Sequence, residues 1–314
     1  MSKTAITTIK TVVVRIDDVG VDTKAFVLED PDQWELPPHH HGAHIDLHLP
    51  GKIVRTYSLC NDPAERTRYV VAVKREAEGR GGSLLLHDRV SVGDVIGVTL
   101  PRGGLRLAEH ASRLICVAGG IGVTPFLSSV MSRQADCRLH LICRDQVPFL
   151  DQLAPLIRRE RVIVHRTVLS GRPDIAALLG RPQPGIAVAC CGPDSLIADF
   201  EHAAQEWPDE RKHIEHFVPP PLPVDPNAKP YTLVLARSGC DIVVEAGQTM
   251  LSALQQAEID IPASCCGGIC GSCKVTWLEG QPVHRDRILS PAERERHLMV
   301  CVAGSASERL VLEL

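Results

Sequence analysis

Four cysteines restrict this chain more tightly than any other feature of it. The segment SCCGGICGSC sets Cys265, Cys270 and Cys273 in a C-x4-C-x2-C spacing, and Cys301 supplies a distant fourth thiol. Thiolates in that spacing hold a [2Fe–2S] cluster. A chain that wraps an anionic cluster must bring its backbone close and adopt dihedrals that side chains resist, which Gly267, Gly268 and Gly271 permit. Backbone N–H groups can then point at the sulfurs and help set the potential. Cys266 stands outside the pattern, since using it would give C-x3-C, and is read as a small filler beside the loop. The alternative is a four-cysteine zinc site. Such sites commonly use two close cysteine pairs, whereas Cys270 and Cys273 form the single close pair here.

The remaining thiols argue about environment. Twelve cysteines in a short secreted chain would suggest a disulfide framework, but this one has 314 residues. Its start, MSKTAITTIK, lacks the apolar core of a secretion signal, and no run approaches the roughly 18 apolar residues of a membrane span. The expectation is a soluble, cytoplasmic protein with reduced thiols and no membrane partner. The net charge is −4 with Lys and Arg dispersed, so a nucleic-acid partner is excluded as well.

Hydrophobic patterning divides the chain. From residue 1 to 105 it reads as short β segments with turns between them, TVVVRI, HIDLHL, YVVAVKR and DVIGVTL among them, which predicts an antiparallel barrel. From 106 to 218 apolar strands alternate with helical stretches: RLICVAGG, RLHLICR, RVIVHRTV and GIAVACCGP show little polar alternation, as expected for a parallel sheet covered on both faces. Residues 219–230 are proline-rich and read as a semi-rigid linker. Residues 231–314 offer two hairpin strands, the amphipathic helix MLSALQQAEI and the cysteine loop, enough for a compact α+β domain.

Two further motif groups carry chemistry. Arg55, Thr56, Tyr57 and Ser58 end a strand-like segment, and Gly79, Gly81, Gly82 and Ser83 follow. An arginine offers a phosphate a bidentate charge, tyrosine offers a flat ring a face, and serine a hydrogen bond. The glycines would open a helix whose free N–H groups receive a phosphate. Gly119, Gly120, Gly122, Thr124 and Pro125 follow an apolar strand and open a helix, the placement that accepts a dinucleotide pyrophosphate. Cys190, Cys191, Gly192 and Pro193 end a later strand at the same edge, where a thiol could lie near a nicotinamide.

On RTYSL, GRGGS, GGIGVTP, CCGP and SCCGGICGSC the whole chain resembles the phthalate dioxygenase reductase family, within the ferredoxin–NADP+ reductase superfamily. The resemblance implies FMN on a six-stranded barrel, NADH on a five-stranded parallel sheet and a β-grasp [2Fe–2S] domain. It also implies a protein acceptor, an oxygenase with a Rieske centre. By motif, Arg55, Thr56, Tyr57 and Ser58 match the flavin strand, Ala72, Val73 and Lys74 a second flavin-contacting strand, and Gly81, Gly82 and Ser83 the FMN phosphate turn. Phe217 matches an aromatic ring that family members place near the flavin. The proline-rich run HFVPPP departs from the pattern. Asp145, after the strand RLHLIC, would accept ribose hydroxyls and repel a 2′-phosphate, favouring NADH, while Arg144 beside it would do the reverse.

A nicotinamide gives two electrons as a hydride and a cluster takes one at a time, so a flavin is the converter between them. The expectation is a monomeric reductase in which Tyr57 and Ser58 hold the flavin and Thr124 and Cys191 position the nicotinamide. Two other readings remain: the same relay serving a haem monooxygenase, and a zinc-stabilised binding module. His39, His40, His41 and His44 are read as an exposed loop, Glu215 and His216 as flavin neighbours or surface residues, and Asp286 as a turn or cap residue.

Overall fold

The structure is a computed structural model that describes residues 8–51, 53–105, 111–132, 136–217, 228–263 and 265–314. It begins with six strands, β1 (Thr8–Gly20), β2 (Thr23–Glu29), β3 (His44–Leu49), β4 (Ile53–Ser58), β5 (Arg68–Lys74) and β6 (Val95–Thr99). They form an antiparallel sheet in the order β4-β3-β6-β1-β2-β5. In β3 the alternation is legible in burial: Ile45, Leu47 and Leu49 face the core and His48 faces solvent. The sheet curls until its two outer strands rejoin. Leu59, just past β4, bridges Val71 of β5, and the Cys60 N–H donates to the Val70 carbonyl at 2.8 Å. Phe26, Leu28, Leu47, Leu59, Tyr69 and Val71 fill the interior. Helix α1 (Gly82–Arg89) follows β5 and seats Leu86 there.

The second group of strands is parallel throughout. β7 (Arg113–Gly119), β8 (Cys137–Cys143), β9 (Val162–Arg166), β10 (Ile186–Cys191) and β11 (Lys212–Glu215) lie in the order β11-β10-β7-β8-β9. Helices α2 (Thr124–Met131), α3 (Leu150–Ile157), α4 (Thr167–Ser170), α5 (Ile175–Leu179) and α6 (Asp194–Ala203) connect them. Both faces of the sheet are covered. Phe126, Leu127 and Leu153 pack on one side, and Ile175, Ile197, Phe200 and Trp207 on the other. Each such side chain removed from water contributes about 1.5–3 kcal/mol, which is why these strands read as unbroken apolar runs. Val19, Ala25 and Ala72 of the antiparallel sheet, and Cys60 just past β4, share a core with Val123, Phe126 and Phe149, and residues 1–217 form one compact unit.

Residues 218–314 form the second unit. Residues 219–227, most of the expected linker, lie outside the described residues, as does residue 218. The unit contains β12 (Tyr231–Leu235), β13 (Cys240–Val244), helix α7 (Met250–Gln256), β14 (Lys274–Glu279), β15 (Pro282–Val283), helix α8 (Pro291–Arg294), β16 (His297–Met299), β17 (Gly304–Ser305) and β18 (Arg309–Leu312). Its main sheet runs β13-β12-β18-β14-β16, with β12 and β18 parallel and the other pairs antiparallel. Thr249 caps α7 by accepting the Ser252 N–H at 3.1 Å, and the helix buries Met250, Leu251 and Leu254 against the sheet. No helix among the described residues is long and apolar enough to cross a membrane.

Candidate flavin, nicotinamide and cluster sites

The flavin candidates sit on β4, an outer strand of the sheet, and on the turn that opens α1. Arg55 reaches across to that turn, donating to the carbonyl oxygens of Val54 and Arg80. A Cβ on Gly82 would fall 2.5 Å from Arg55 Cγ, so the absence of a side chain lets the guanidinium lie over the helix start. Gly81 holds a left-handed φ of 78° with open space around it, and the first N–H groups of α1 have no partner within the helix. A guanidinium over free N–H groups is an anion cradle that fits the phosphate of FMN. Ser83 Oγ accepts the Glu76 N–H at 3.1 Å and so ties the turn to the segment after β5. On β5 itself Ala72 and Val73 are buried and Lys74 is exposed. Burial pushes the Tyr57 phenol up to about 12, so the ring stays neutral.

The nicotinamide candidates meet where the strand order reverses. The chain passes from β7 to β8 and β9 on one side, then returns to β10 and β11 on the other, so β7 and β10 flank a topological switch point. Ligands of open parallel sheets bind at the carboxyl ends of the strands beside such a point. Two glycine turns face each other there. A Cβ on Gly119 would lie 2.6 Å from Pro193 Cδ, and one on Gly122 would press into the Cys191 carbonyl, 2.7 Å from its carbon. Thr124 is buried and donates its hydroxyl to the Ile121 carbonyl at 3.1 Å, with Pro125 next to it in the first turn of α2. Asp145 is exposed just past β8.

A side-chain hydrogen bond joins the two sheets at this edge. Glu215 ends β11 in register with Cys191 of β10, and Ser58 Oγ donates to Glu215 Oε1 at 3.2 Å. Ser58, Cys191 and Glu215 therefore lie together, the first from β4 of the antiparallel sheet and the others from the parallel sheet. Burial raises the Glu215 carboxyl to about 7, against the opposing pull of the Ser58 bond. Burial, and next the Glu215 charge, push the Cys191 thiol up, so it stays protonated. The thiol is wholly buried, and its backbone carbonyl is what meets Gly122. Phe217, two residues past Glu215, keeps 39% of its surface exposed.

The cluster candidates converge in the second unit. Cys265, Cys270, Cys273 and Cys301 are all buried. The Cys270 thiol lies against that of Cys265, and Cys301 against those of Cys265 and Cys273. The Gly267 N–H points at Cys265 Sγ, 3.3 Å away. Gly268 and Gly271 have φ of 70° and 82°. Four buried thiols linked by contacts from Cys270 through Cys265 and Cys301 to Cys273, with a backbone donor aimed at sulfur, fit a cluster that deprotonates its ligands. Cys266 is exposed, at a φ of 57°. The loop is braced from outside the cysteine motif: Arg287 N–H donates to the Gly268 carbonyl at 3.1 Å. The buried Asp286 carboxylate accepts the Leu289 N–H at 2.9 Å and pairs with Arg294 at 3.3 Å, so Asp286 is a turn residue under the loop.

The histidine run keeps the expected exposure at His40, but His44 opens β3 and His39 departs from it. His39 is buried because it packs edge-on against Tyr69 with ring centroids 5.9 Å apart, and Tyr69 in turn donates to the Pro37 carbonyl.

An NADH-dependent flavoprotein oxidoreductase with a [2Fe–2S] domain is the class these folds and sites define. A model for an oxidoreductase FAD-binding domain matches residues 10–107, and one for a 2Fe–2S iron–sulfur cluster binding domain matches residues 233–304. Phthalate dioxygenase reductase of Burkholderia cepacia is 37% identical over 308 residues, 95% of each chain. Among solved structures, phthalate dioxygenase reductase, a modular structure for electron transfer from pyridine nucleotides to [2Fe–2S], superposes with a TM-score of 0.72 at 35% identity over 98% of both chains. An intact type IV self-sufficient cytochrome P450 monooxygenase matches with a TM-score of 0.85 at 35% identity, covering 98% of this chain and 41% of that longer one. The chain belongs to the phthalate dioxygenase reductase family. Its cofactors are a flavin and a [2Fe–2S] cluster, and its reductant is NADH.

Proposed function

We propose that this chain is the reductase component of a two-component aromatic oxygenase or O-demethylase whose acceptor carries a Rieske centre. The carrying observation is that similarity to phthalate dioxygenase reductase runs end to end, with neither chain holding a large extra segment. In this reading the cofactors convert a two-electron donor into single electrons. Arg55 and the N–H groups after Gly81, with Gly82 and Ser83, hold the FMN phosphate. Thr56, Tyr57, Ser58, Ala72, Val73 and Lys74 contact its ring system, with Phe217 beside it. Gly119, Gly120, Gly122, Thr124 and Pro125 admit the NADH pyrophosphate, and Asp145 accepts ribose hydroxyls. Cys191, Gly192 and Pro193 form the wall for the nicotinamide, and Cys265, Cys270, Cys273 and Cys301 ligate the cluster.

A second acceptor class is supported by the P450 likeness: the same arrangement occurs there within a chain that is itself a cytochrome P450 monooxygenase. Co-purification with the tagged chain separates the two. A partner with a Rieske spectrum, reduced only when NADH and this chain are both present, supports the first reading. A haem partner reduced in that way, with no transfer to a Rieske protein, overturns it.

A further inference from the structure

β4 is the outer strand of its sheet and is paired along one side only, to β3. Beyond the Leu59–Val71 bridge that follows it, an outer strand leaves half its backbone groups outside the ladder. Yet this strand carries Arg55, Tyr57 and Ser58. What fixes it is found behind it, in residues that no motif singled out. Asp46 faces Thr56 in the β3–β4 register. Its side chain is 3% exposed, accepts the Thr56 hydroxyl at 2.6 Å and pairs with Arg102 at 2.6 Å. The Asp46 N–H donates to Thr99 Oγ1 at 2.9 Å, and Arg102 Nη1 donates to that same oxygen at 2.8 Å. Arg102 is locked in turn, because it exchanges both backbone hydrogen bonds with His44, the residue opposite Ser58.

Burying a carboxylate costs free energy unless it is paired and hydrogen-bonded. Even then a well-packed apolar replacement is often as stable, so such a network is better explained by the one arrangement it selects. Here that arrangement is the pitch of β4: with its hydroxyl held on the Asp46 side, Thr56 fixes the neighbours that bracket it.

We propose that Asp46, held by Arg102, is a positioning residue for flavin reduction, acting through Thr56 to set where Tyr57 and Ser58 meet the flavin. The inference rests on β4 being the flavin strand. Asp46→Asn and Thr56→Val should alter the visible circular dichroism of bound FMN and slow its reduction by NADH about tenfold, the scale of a small misplacement of reacting groups. The NADH dissociation constant should change less than about twofold, because only the flavin side has moved. Thr56→Ser, which keeps the hydroxyl, should restore both the spectrum and the rate. Unchanged spectrum and rate in Asp46→Asn and Thr56→Val, with only a lower melting temperature, would reduce the network to scaffolding and overturn the proposal. Equal impairment in Thr56→Ser and Thr56→Val would also overturn it. Tyr57→Ala separates the premise: if FMN affinity survives there unchanged, the flavin-strand reading falls and this inference with it. If FMN affinity drops there while Asp46→Asn and Thr56→Val are silent, the inference alone falls.

Discussion

Ser58 Oγ donates to Glu215 Oε1 at 3.2 Å, joining residues 157 positions apart and two sheets of different construction. The acceptor titrates in an accessible range, because burial raises its folded value from 4.5 to about 7. Between those two values the folded state keeps a proton that the unfolded state has lost. Stability from this group is therefore fully present below about 4.5 and is lost as pH rises through about 7. Glu215→Gln cannot ionise and can still accept from Ser58. Thermal melts should show the variant matching the parent in mild acid and exceeding it by a few degrees above neutrality. Parallel curves across that range would mean Glu215 is ionised throughout.

The anion cradle can be tested without disturbing the barrel. A Cβ at Gly82 would meet Arg55 Cγ at 2.5 Å and Nε at 2.9 Å, which is the flexible part of a long side chain rather than backbone. Gly82→Ala should therefore displace the guanidinium and leave the fold intact. A charge-assisted contact of this kind contributes about 1.5–3 kcal/mol, so FMN affinity should fall roughly 10- to 100-fold. Arg55→Ala should behave alike, and the double variant little worse than either single one. Fluorescence titration of the apoprotein with FMN reads the result; additive losses would show that Gly82 acts on the phosphate independently of Arg55.

Among the C-terminal cysteines the expectation is a sharp asymmetry between neighbours. Cys265 is buried against Cys270 and Cys301, whereas Cys266 is exposed and its φ of 57° suits glycine. Cys265→Ser should lose the cluster, with iron per chain dropping from about two toward zero and the charge-transfer absorption fading. Cys266→Ser should keep both, and Cys266→Gly should keep them with an equal or higher melting temperature. Loss of iron in Cys266→Ser would reassign the ligand set.

Much of this was legible in the sequence because it was local. The segment HIDLHL is the strand His44–Leu49, and the apolar RLHLIC lies within Cys137–Cys143, since period and apolar content are properties of neighbouring residues. The cysteine spacing likewise encodes its own loop. What stayed hidden is long-range. Glu215 reads as one acid in KHIE until β11 is laid beside β10, and its bond to Ser58 depends on how two sheets pack. Asp46 left a faint trace, an acid between apolar positions of a strand, but nothing near it in sequence names Arg102 as its partner. His39 was misplaced because prolines around a polar run suggest exposure, and the Tyr69 ring that covers it comes from β5.

The two glycine turns at the switch point make the last prediction, and it depends on which glycine is changed. At Gly122 a Cβ would press into the Cys191 carbonyl and lie 2.9 Å from the Gly192 N–H, all backbone at the end of β10. Backbone in a ladder cannot swing aside as a side chain can, so Gly122→Ala must push the turn off the sheet. Overpacking of this kind costs about 1–3 kcal/mol, and here the strain falls on the surface that the NADH pyrophosphate would occupy. At Gly120 the obstacle is different: φ is 54°, but a Cβ would enter open space. The cost there is the left-handed backbone alone, about 1–2 kcal/mol. The melting temperatures of Gly120→Ala and Gly122→Ala should thus fall by comparable amounts. NADH binding should separate them, with Gly122→Ala raising the dissociation constant at least tenfold and Gly120→Ala much less, unless the open space over Gly120 is where the pyrophosphate itself lies. In that case the order reverses, because the methyl group takes the ligand's place, and isothermal titration of the two variants with NADH distinguishes a displaced turn from a blocked one.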